Sequence, residues 1–532
     1  MSVGANSLGG IIAANAELYP ERPALFVDGT TYTYRELLDR ALLLAALISQ
    51  IDGGDFSLCA VYAKRSLWTY AGILGTLMAG RGYVPLNPSF PVERTRKMLD
   101  LAGATTVVAD GHNLDSLEKI IAKSNQKLTV ILPDSSSQPV WAKDYPQHRI
   151  LCASDLCRHD IAFTPRMPGE DAIAYLLFTS GTTGTPKGIG IQQRNVLSYI
   201  KAIAQRYDIG PQDRFSQNFE TTFDLSVHDM FVCWSRGACL CAPSERVAMA
   251  PAKFIRDHEL TCWFSTPSTA AIMARLSMLR PNAFPSLRWS LFCGEPLTAH
   301  IAAAWQQAAP KSTVENLYGP TEATIACTAY TYSVETSPDE CVNGLIPIGR
   351  PFGQTSIAVV NGEGKPIGNG EIGELLLGGG QIAPGYWRDA ERTSASFQSL
   401  PSLQTSNRWY RTGDLVSINS QQNLIYQGRV DHQIKIMGHR VELQEVEAIV
   451  REASNADIAV ALGWPRTPAG ADGIIVYVSG STEADAAILQ RCRQELPPYM
   501  VPTEIHRIES MPLNANQKTD RAQLLEMRKR LS

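Results

Sequence analysis

The chain has 532 residues, 44 % of them hydrophobic and 19 % charged, with a formal net charge of 48 − 52 = −4. At roughly 150 residues per domain this length makes three to four domains or subdomains, and the balance is that of a folded globular protein, which excludes a wholly disordered or fibrous chain. No global basic field recommends nucleic acid or an anionic membrane as a partner, so small-molecule chemistry in the cytoplasm is the expectation.

The longest apolar stretch, around Ala41 to Ile48, is far shorter than the roughly 18 to 20 residues a spanning helix needs. The opening MSVGANSLGG has no basic region followed by an apolar core, so neither a secretory signal nor membrane insertion is expected. Eleven cysteines are scattered without a C-x-x-C pair, and nine histidines without H-E-x-x-H. Cys239-Leu-Cys241 alternates as a strand with both thiols on one face. A reducing compartment and no zinc site follow.

In chain order, Tyr34 to Ser49 has helical spacing, and Gly82-Tyr-Val-Pro-Leu-Asn-Pro88 reads as a strand ending in a turn. Pro133 to Pro139 is a loop by composition. The apolar run from Ala172 reads as a strand buried on both faces. A Gly/Thr-rich loop follows, and then Val196, Ile200, Ile203 and Tyr207 mark one face of a helix. Strand, glycine loop and helix together predict a ligand at the loop. After Gly428 the pattern shortens. Strands are predicted at Gln433–Met437, Asp457–Gly463, Gly473–Ser479 and Ile505–Ile508, with helices at Leu443–Ala453 and Thr482–Leu496. This is a compact α+β unit joined through Gly428-Arg-Val-Asp431.

The strongest local signal is Thr179-Ser-Gly-Thr-Thr-Gly-Thr-Pro-Lys-Gly188. Glycines admit phosphate oxygens close to the backbone, hydroxyls and amides donate to them, and Lys187 adds positive charge. The spacing G-x-x-G-x-x-K is not a Walker A loop. With it, in order, run Ala79-Gly80 with Tyr83-Val-Pro-Leu86, Phe223-Asp-Leu-Ser226, Asn316-Leu-Tyr-Gly-Pro-Thr-Glu322, Tyr410-Arg-Thr-Gly-Asp414, Gly428-Arg-Val-Asp431 and Asn516-Gln-Lys-Thr-Asp-Arg521. In these motifs the chain resembles the adenylate-forming superfamily of acyl-CoA synthetases, luciferases and peptide-synthetase adenylation domains, over nearly its whole length.

The resemblance implies an α/β fold. Its large N-terminal adenylate-forming part (residues 1–430) is a layered α/β structure with a distorted barrel, and a small mobile α+β domain (residues 431–532) follows. The reaction implied is attack of a carboxylate on the α-phosphate of ATP, with Mg²⁺ as cofactor and pyrophosphate as leaving group. Two anions must be brought together, so the site must screen repulsion and stabilise charge gathering on phosphorus.

By the same resemblance, Lys518 bridges carboxylate and phosphate, Thr321 touches the α-phosphate and Glu322 helps hold Mg²⁺. The ATP site comprises Thr179, Ser180, Gly181, Thr182, Thr183, Gly184 and Lys187, with Gly294, Glu295 and Pro296 along the adenine edge. Asn316, Leu317, Tyr318, Gly319 and Pro320 complete its wall, Tyr318 stacking on adenine. Asp414 accepts from the ribose hydroxyls, and Arg429 and Tyr426 stand beside it. Asp431 is the implied hinge, about which Lys518 leaves and the Lys435 to Gly438 stretch turns to face an incoming thiol.

Asp224 sets the substrate class. Amino-acid-activating members carry an aspartate here because an ammonium entering a semi-dry pocket needs a fixed negative partner; the alternative is that Asp224 caps the helix starting at Leu225. The implied side-chain lining is Leu225, His228, Phe264, Leu291, Cys293, Leu317, Ile325 and Ala326, none of them acidic, with Phe264, Leu291 and Leu317 leaving little volume. A small amino acid is expected, glycine or alanine first.

Ser265-Thr-Pro-Ser268, Leu291-Phe-Cys-Gly-Glu295 and Phe223-Asp-Leu-Ser-Val227 are similar to D-alanine–carrier-protein ligases of envelope decoration. Phe264 and Leu317 pull toward the glycine ligases that feed lipid A modification. L-Proline-activating ligases and acyl-CoA synthetases using free coenzyme A are the alternatives. Departures from the family pattern are Gln517, Ala515, Met437 and Gln192. Only 14 residues follow Lys518, so the expected acceptor is a separate phosphopantetheinylated carrier protein.

Overall fold

The computed structural model describes residues 7–51, 58–156, 164–166, 168–180, 186–403, 408–431, 433–467, 470–512 and 519–531. Its first sheet has seven strands, with Leu58–Tyr62 and Gly82–Leu86 at the centre. All pairings in it are parallel except the last, between Ile173–Thr179 and Lys187–Gln192. A second sheet of nine strands is parallel through Arg214–Ser216, Cys262–Ser265, Trp289–Phe292 and Thr313–Tyr318. Its Cys239–Cys241 strand is the one the alternation predicts.

Helix Tyr34–Ser49 starts at a capping box, Thr33 and Glu36 each bonding the other's backbone N–H. It buries Leu37, Ala41, Leu44 and Ile48, one face at helical spacing. Helix Leu67–Met78 lies against it and is buried on almost every side. The approach needs Gly75, because a Cβ there would meet the Ala41 carbonyl at 2.8 Å. One hydrophobic core runs continuously from these helices into both sheets.

A third, antiparallel sheet of five strands contains Gly373–Gly379, Arg408–Ile418 and Leu424–Arg429. All strands of these three sheets end by Arg429; those beginning at Ile434 form two smaller sheets of four and three strands. This is the large N-terminal and small C-terminal α/β arrangement that the motifs imply.

In the C-terminal part, strands Ile434–Ile436, Ile458–Gly463, Ile474–Ser479 and Glu504–Arg507 match the predicted segments within a few residues, as does helix Leu443–Ser454. The second helix begins at Asp485 rather than Thr482. Strand His439–Val441 and helix Arg521–Leu531 were not expected.

One local expectation is corrected. The glycine loop does not lead from a strand into a helix: it closes an antiparallel hairpin, with Thr179 opposite Lys187, and helix Gln193–Arg206 begins only after the second strand.

Among the described residues, no helix is long and apolar enough to cross a membrane. The ten described cysteines carry free thiols.

Candidate active site

The proposed side-chain pocket stands at the carboxyl ends of parallel strands, where α/β sheets bind ligands. Phe264 and Leu291 are register partners on neighbouring strands, and Cys293 and Gly294 follow directly on the Leu291 strand. Leu317 lies near the end of Thr313–Tyr318. Leu225, Phe264, Leu291, Cys293, Leu317, Ile325 and Ala326 all belong to the same buried core.

Ile325 and Ala326 reach this wall through an unusual turn. Thr324 and Ile325 both have positive φ, 57° and 73°, a costly conformation for β-branched residues. Gln381, buried, holds it: its side-chain amide donates to the Ala326 carbonyl at 2.7 Å, and its backbone carbonyl accepts from Thr324 Oγ1 at 2.6 Å. Gly319 is required opposite, since a Cβ would lie 2.5 Å from Ala326 Cα. Gln381 carries no motif signal and went unread in the sequence.

Asp224 is 3 % exposed, and no side-chain cap hydrogen bond joins it to the helical turn Leu225–Val227, although the Leu225 amide lies near enough to favour its charged form. Its Oδ2 has no hydrogen-bond partner among the described residues. Burial pushes the carboxyl up to about 7, a shift that the Thr321 hydroxyl and the Ile325 and Leu225 amides only partly offset and the Glu322 charge increases. Asp224 is thus a carboxylate kept short of counter-charge.

His228 opens a π-helical segment, His228–Val232. Its Nδ1 shares a 2.7 Å hydrogen bond with Tyr199 Oη, and its ring lies 4.7 Å from that of Phe264. Burial lowers its pKa to about 3, so the imidazole is neutral.

On the nucleotide side, Asp414 and Arg429 face each other in register on adjacent strands, with Arg429 Nη1 donating to Asp414 Oδ1 at 2.6 Å. The Tyr318 hydroxyl donates to Asp414 Oδ2. Each carboxylate oxygen keeps a lone pair for a further donor. Tyr426 is close enough that Asp414, after burial, raises its phenol. Asn316 spends its amide on the Pro347 carbonyl at 2.9 Å. Glu295 accepts from the Ser268 amide at 2.9 Å, at the start of helix Pro267–Arg275.

Glu322 is fully buried. Tyr386 Oη donates to its Oε1 at 2.8 Å, Arg440 Nη1 lies 3.1 Å from both oxygens, and Lys187 Nζ stands 3.7 Å away. Burial alone would raise this carboxyl, but Arg440 and Lys187 outweigh it and hold it at about 2. Lys187, also over the Tyr386 ring at 5.3 Å, is lowered to about 8 by burial and by Arg440. Neither Tyr386 nor the role of Arg440 was read from the sequence.

The hairpin Ile434–Ile436 and His439–Val441 brings the small part onto the site. A Cβ on Gly438 would lie 2.4 Å from Thr266 Cγ2. Burial lowers the Lys435 ammonium, an effect that the charges of Asp414, Cys293 and Glu295 partly offset. Asp431 is clamped by Arg429 at 2.7 and 2.8 Å. A cavity of about 50 Å³ runs between the parts, lined by Ser180, Phe223, Asp224, Thr321, His439 and Arg440 among others. Gly181, Thr182, Thr183, Gly184 and Lys518 lie outside the described residues, as do Ala515 and Gln517.

Residues 12–387 match the family model described as AMP-binding enzyme. The chain is 33 % identical over 512 residues to tyrocidine synthase 2 of Brevibacillus parabrevis, covering 96 % of this chain but 13 % of that protein. It spans no more than about a fifth of the length of the first three curated relatives it matches. It is also 32 % identical to an L-proline–[L-prolyl-carrier protein] ligase of Streptomyces coelicolor, over 94 % of this chain and 92 % of that one. Among solved structures, the Vibrio cholerae adenylation domain AlmE in complex with glycyl-adenosine-5'-phosphate superposes with a TM-score of 0.88 at 32 % identity, over 100 % of this chain and 98 % of that one. With the motifs, the layered sheets and the full-length matches in agreement, the chain belongs to the AMP-binding, adenylate-forming enzyme family.

Proposed function

We propose that the chain activates a small amino acid, glycine or alanine first, as its aminoacyl-AMP, and then transfers it to the phosphopantetheine thiol of a separate carrier protein. The observation that carries this reading is Asp224: a buried carboxyl with one oxygen unpartnered among the described residues, set against an apolar wall. A substrate ammonium supplies what it lacks, since a desolvated carboxylate gains most from a cation that hydrogen-bonds to it. An amine-free acid would leave the deficit standing. The glycyl adenylate bound by AlmE and the prolyl substrate of the Streptomyces relative are both compact, which agrees with the bulk of Phe264, Leu291 and Leu317.

In this reading Asp224 fixes the amino group, and the substrate carboxylate is turned toward Thr321. Asp414 with Arg429 holds the ribose, Tyr318 lies along adenine, and Lys187 with the glycine loop meets the phosphates. Among the described residues no group of three side chains forms a ready metal cage. Glu322 fits Mg²⁺ as a hard oxygen donor that would share the ion with ATP phosphates, the usual manner for this ion. When bound, Mg²⁺ neutralises charge on the departing pyrophosphate. Lys518 supplies the mobile positive charge for the first half-reaction. Residues 1–430 serve as the core, and residues 431–532 turn about Asp431 to bring Lys435 and Gly438 to the thioester step.

The direct test is mass spectrometry of a holo carrier protein incubated with enzyme, ATP, Mg²⁺ and each small amino acid. A mass gain equal to one glycyl or alanyl residue is expected. Loading of free coenzyme A with an amine-free acid instead would move the chain to the acyl-CoA synthetases. L-Proline is the second reading, favoured by the full-length similarity to the prolyl-carrier ligase.

A further inference from the structure

Resting on the reading of Glu322 as the Mg²⁺ ligand, we propose that Arg440 is an intramolecular stand-in for the metal: when the small domain docks as seen here, its guanidinium takes the carboxylate that Mg²⁺ must use. Metal-nucleotide binding and this domain orientation then exclude each other.

Three contacts carry the proposal. Arg440 Nη1 lies 3.1 Å from each oxygen of Glu322, so the cation sits in the fork where a metal would bind. Tyr386 holds Oε1 from another side at 2.8 Å. The carboxylate is fully buried, and Lys187 Nζ already stands 3.7 Å from its Oε1, so a metal entering beside Arg440 would meet two cations in a desolvated site. The third contact is independent of Glu322. Ser180, at the start of the glycine loop, donates to the Arg440 carbonyl at 2.7 Å and accepts from the Glu442 amide at 3.1 Å. A side chain placed to meet phosphate thus serves the small-domain backbone instead. The docked strand therefore covers both the metal position and one edge of the phosphate loop.

The AMP portion of the site is spared. Asp414, Tyr318 and Arg429 form their cluster without Arg440. An aminoacyl-AMP, lacking β- and γ-phosphates and their metal, is compatible with the docked state; Mg·ATP is not. Departure of metal and pyrophosphate is then the event that frees Glu322 for Arg440, and this orders the half-reactions. Arg440 is a positioning residue here, not a group that touches reacting atoms.

The test compares binding of Mn²⁺ with a non-cleavable α,β-methylene ATP, by Mn²⁺ paramagnetic resonance, to the full-length protein and to Arg440→Gln, Arg440→Lys and Glu322→Gln. AMP binding by calorimetry is measured alongside. Arg440→Gln removes the internal competitor and is expected to bind the Mn²⁺ complex about tenfold tighter or more, with AMP affinity unchanged. Arg440→Lys should fall between. Equal Mn²⁺-nucleotide affinity for wild type and Arg440→Gln, with Glu322→Gln weakened, would overturn the proposal and leave the metal assignment standing. If Glu322→Gln binds Mn²⁺ as well as wild type, the metal assignment fails and the proposal falls with it.

Discussion

Tyr386 Oη and Glu322 Oε1 are joined at 2.8 Å across 64 residues of sequence, inside a site where the carboxylate is fully buried. The phenol fixes Oε1, which Lys187 also approaches at 3.7 Å, while Arg440 spans both oxygens. Tyr386→Phe should remove a hydrogen bond to a charged group, worth about 1.5–3 kcal/mol. The expected result is a tenfold or greater rise in the Mg²⁺ concentration needed for half-maximal adenylation, with amino-acid KM little changed. Mg²⁺ titration of ATP–pyrophosphate exchange measures it.

Asp224→Ala should weaken amino-acid binding by about a hundredfold, the order expected when a buried ion pair loses one partner. ATP binding should stay close to wild type. Separate titrations of the two substrates decide it, and equal loss of both would remove the ammonium-partner role.

The same carboxylate makes stability depend on pH. Its folded value of about 7 stands above about 3.9 in the unfolded chain, so the folded state holds a proton that the unfolded state has released. Its contribution to stability is present below pH 4 and is lost as pH rises through 7. Ligand-free Asp224→Asn should therefore melt above wild type at pH 8, with the gap narrowing toward pH 5. Amino-acid affinity of the wild type should rise from pH 6 to pH 8 as Asp224 ionises. Thermal scans and KM values across this range check both.

Leu317→Ala should enlarge the pocket beneath the strained Thr324–Ile325 turn. Stability should fall by about 2–5 kcal/mol, and exchange activity should shift from the smallest amino acid toward larger apolar ones. A substrate panel run on the variant reads this directly.

Lys518→Ala should abolish aminoacyl-AMP formation yet largely spare thioester formation from preformed aminoacyl-AMP. Loss of its transition-state contact is expected to cost on the order of 3 kcal/mol, about a hundredfold in rate, or more. Parallel loss of both half-reactions would refute the two-orientation account.

The readable parts of this molecule were those in which neighbouring residues share one task. Ile173–Thr179 announces itself as a continuous apolar run, and Tyr34–Ser49 by its helical spacing. Asp414 and Arg429 stand in quotable strings. What escaped reading was built from distance. Gln381 acts on a turn 55 residues away, and Arg440 on a carboxylate 118 residues away. Each is an ordinary polar residue in its own neighbourhood. The glycine loop was recognised by composition, but its setting in a hairpin depends on Lys187–Gln192 pairing back onto Ile173–Thr179, and short apolar runs beside glycines give no such signal. Strand His439–Val441 is three residues long and owes its place to the partner strand.

The measurement that tests the central claim most directly is ATP–pyrophosphate exchange with the wild-type enzyme. It should cover all proteinogenic amino acids, D-alanine and a set of fatty and aryl acids. The account predicts exchange with glycine or one other small amino acid, and none with acids that lack an amine. Exchange only with an amine-free acid would contradict it.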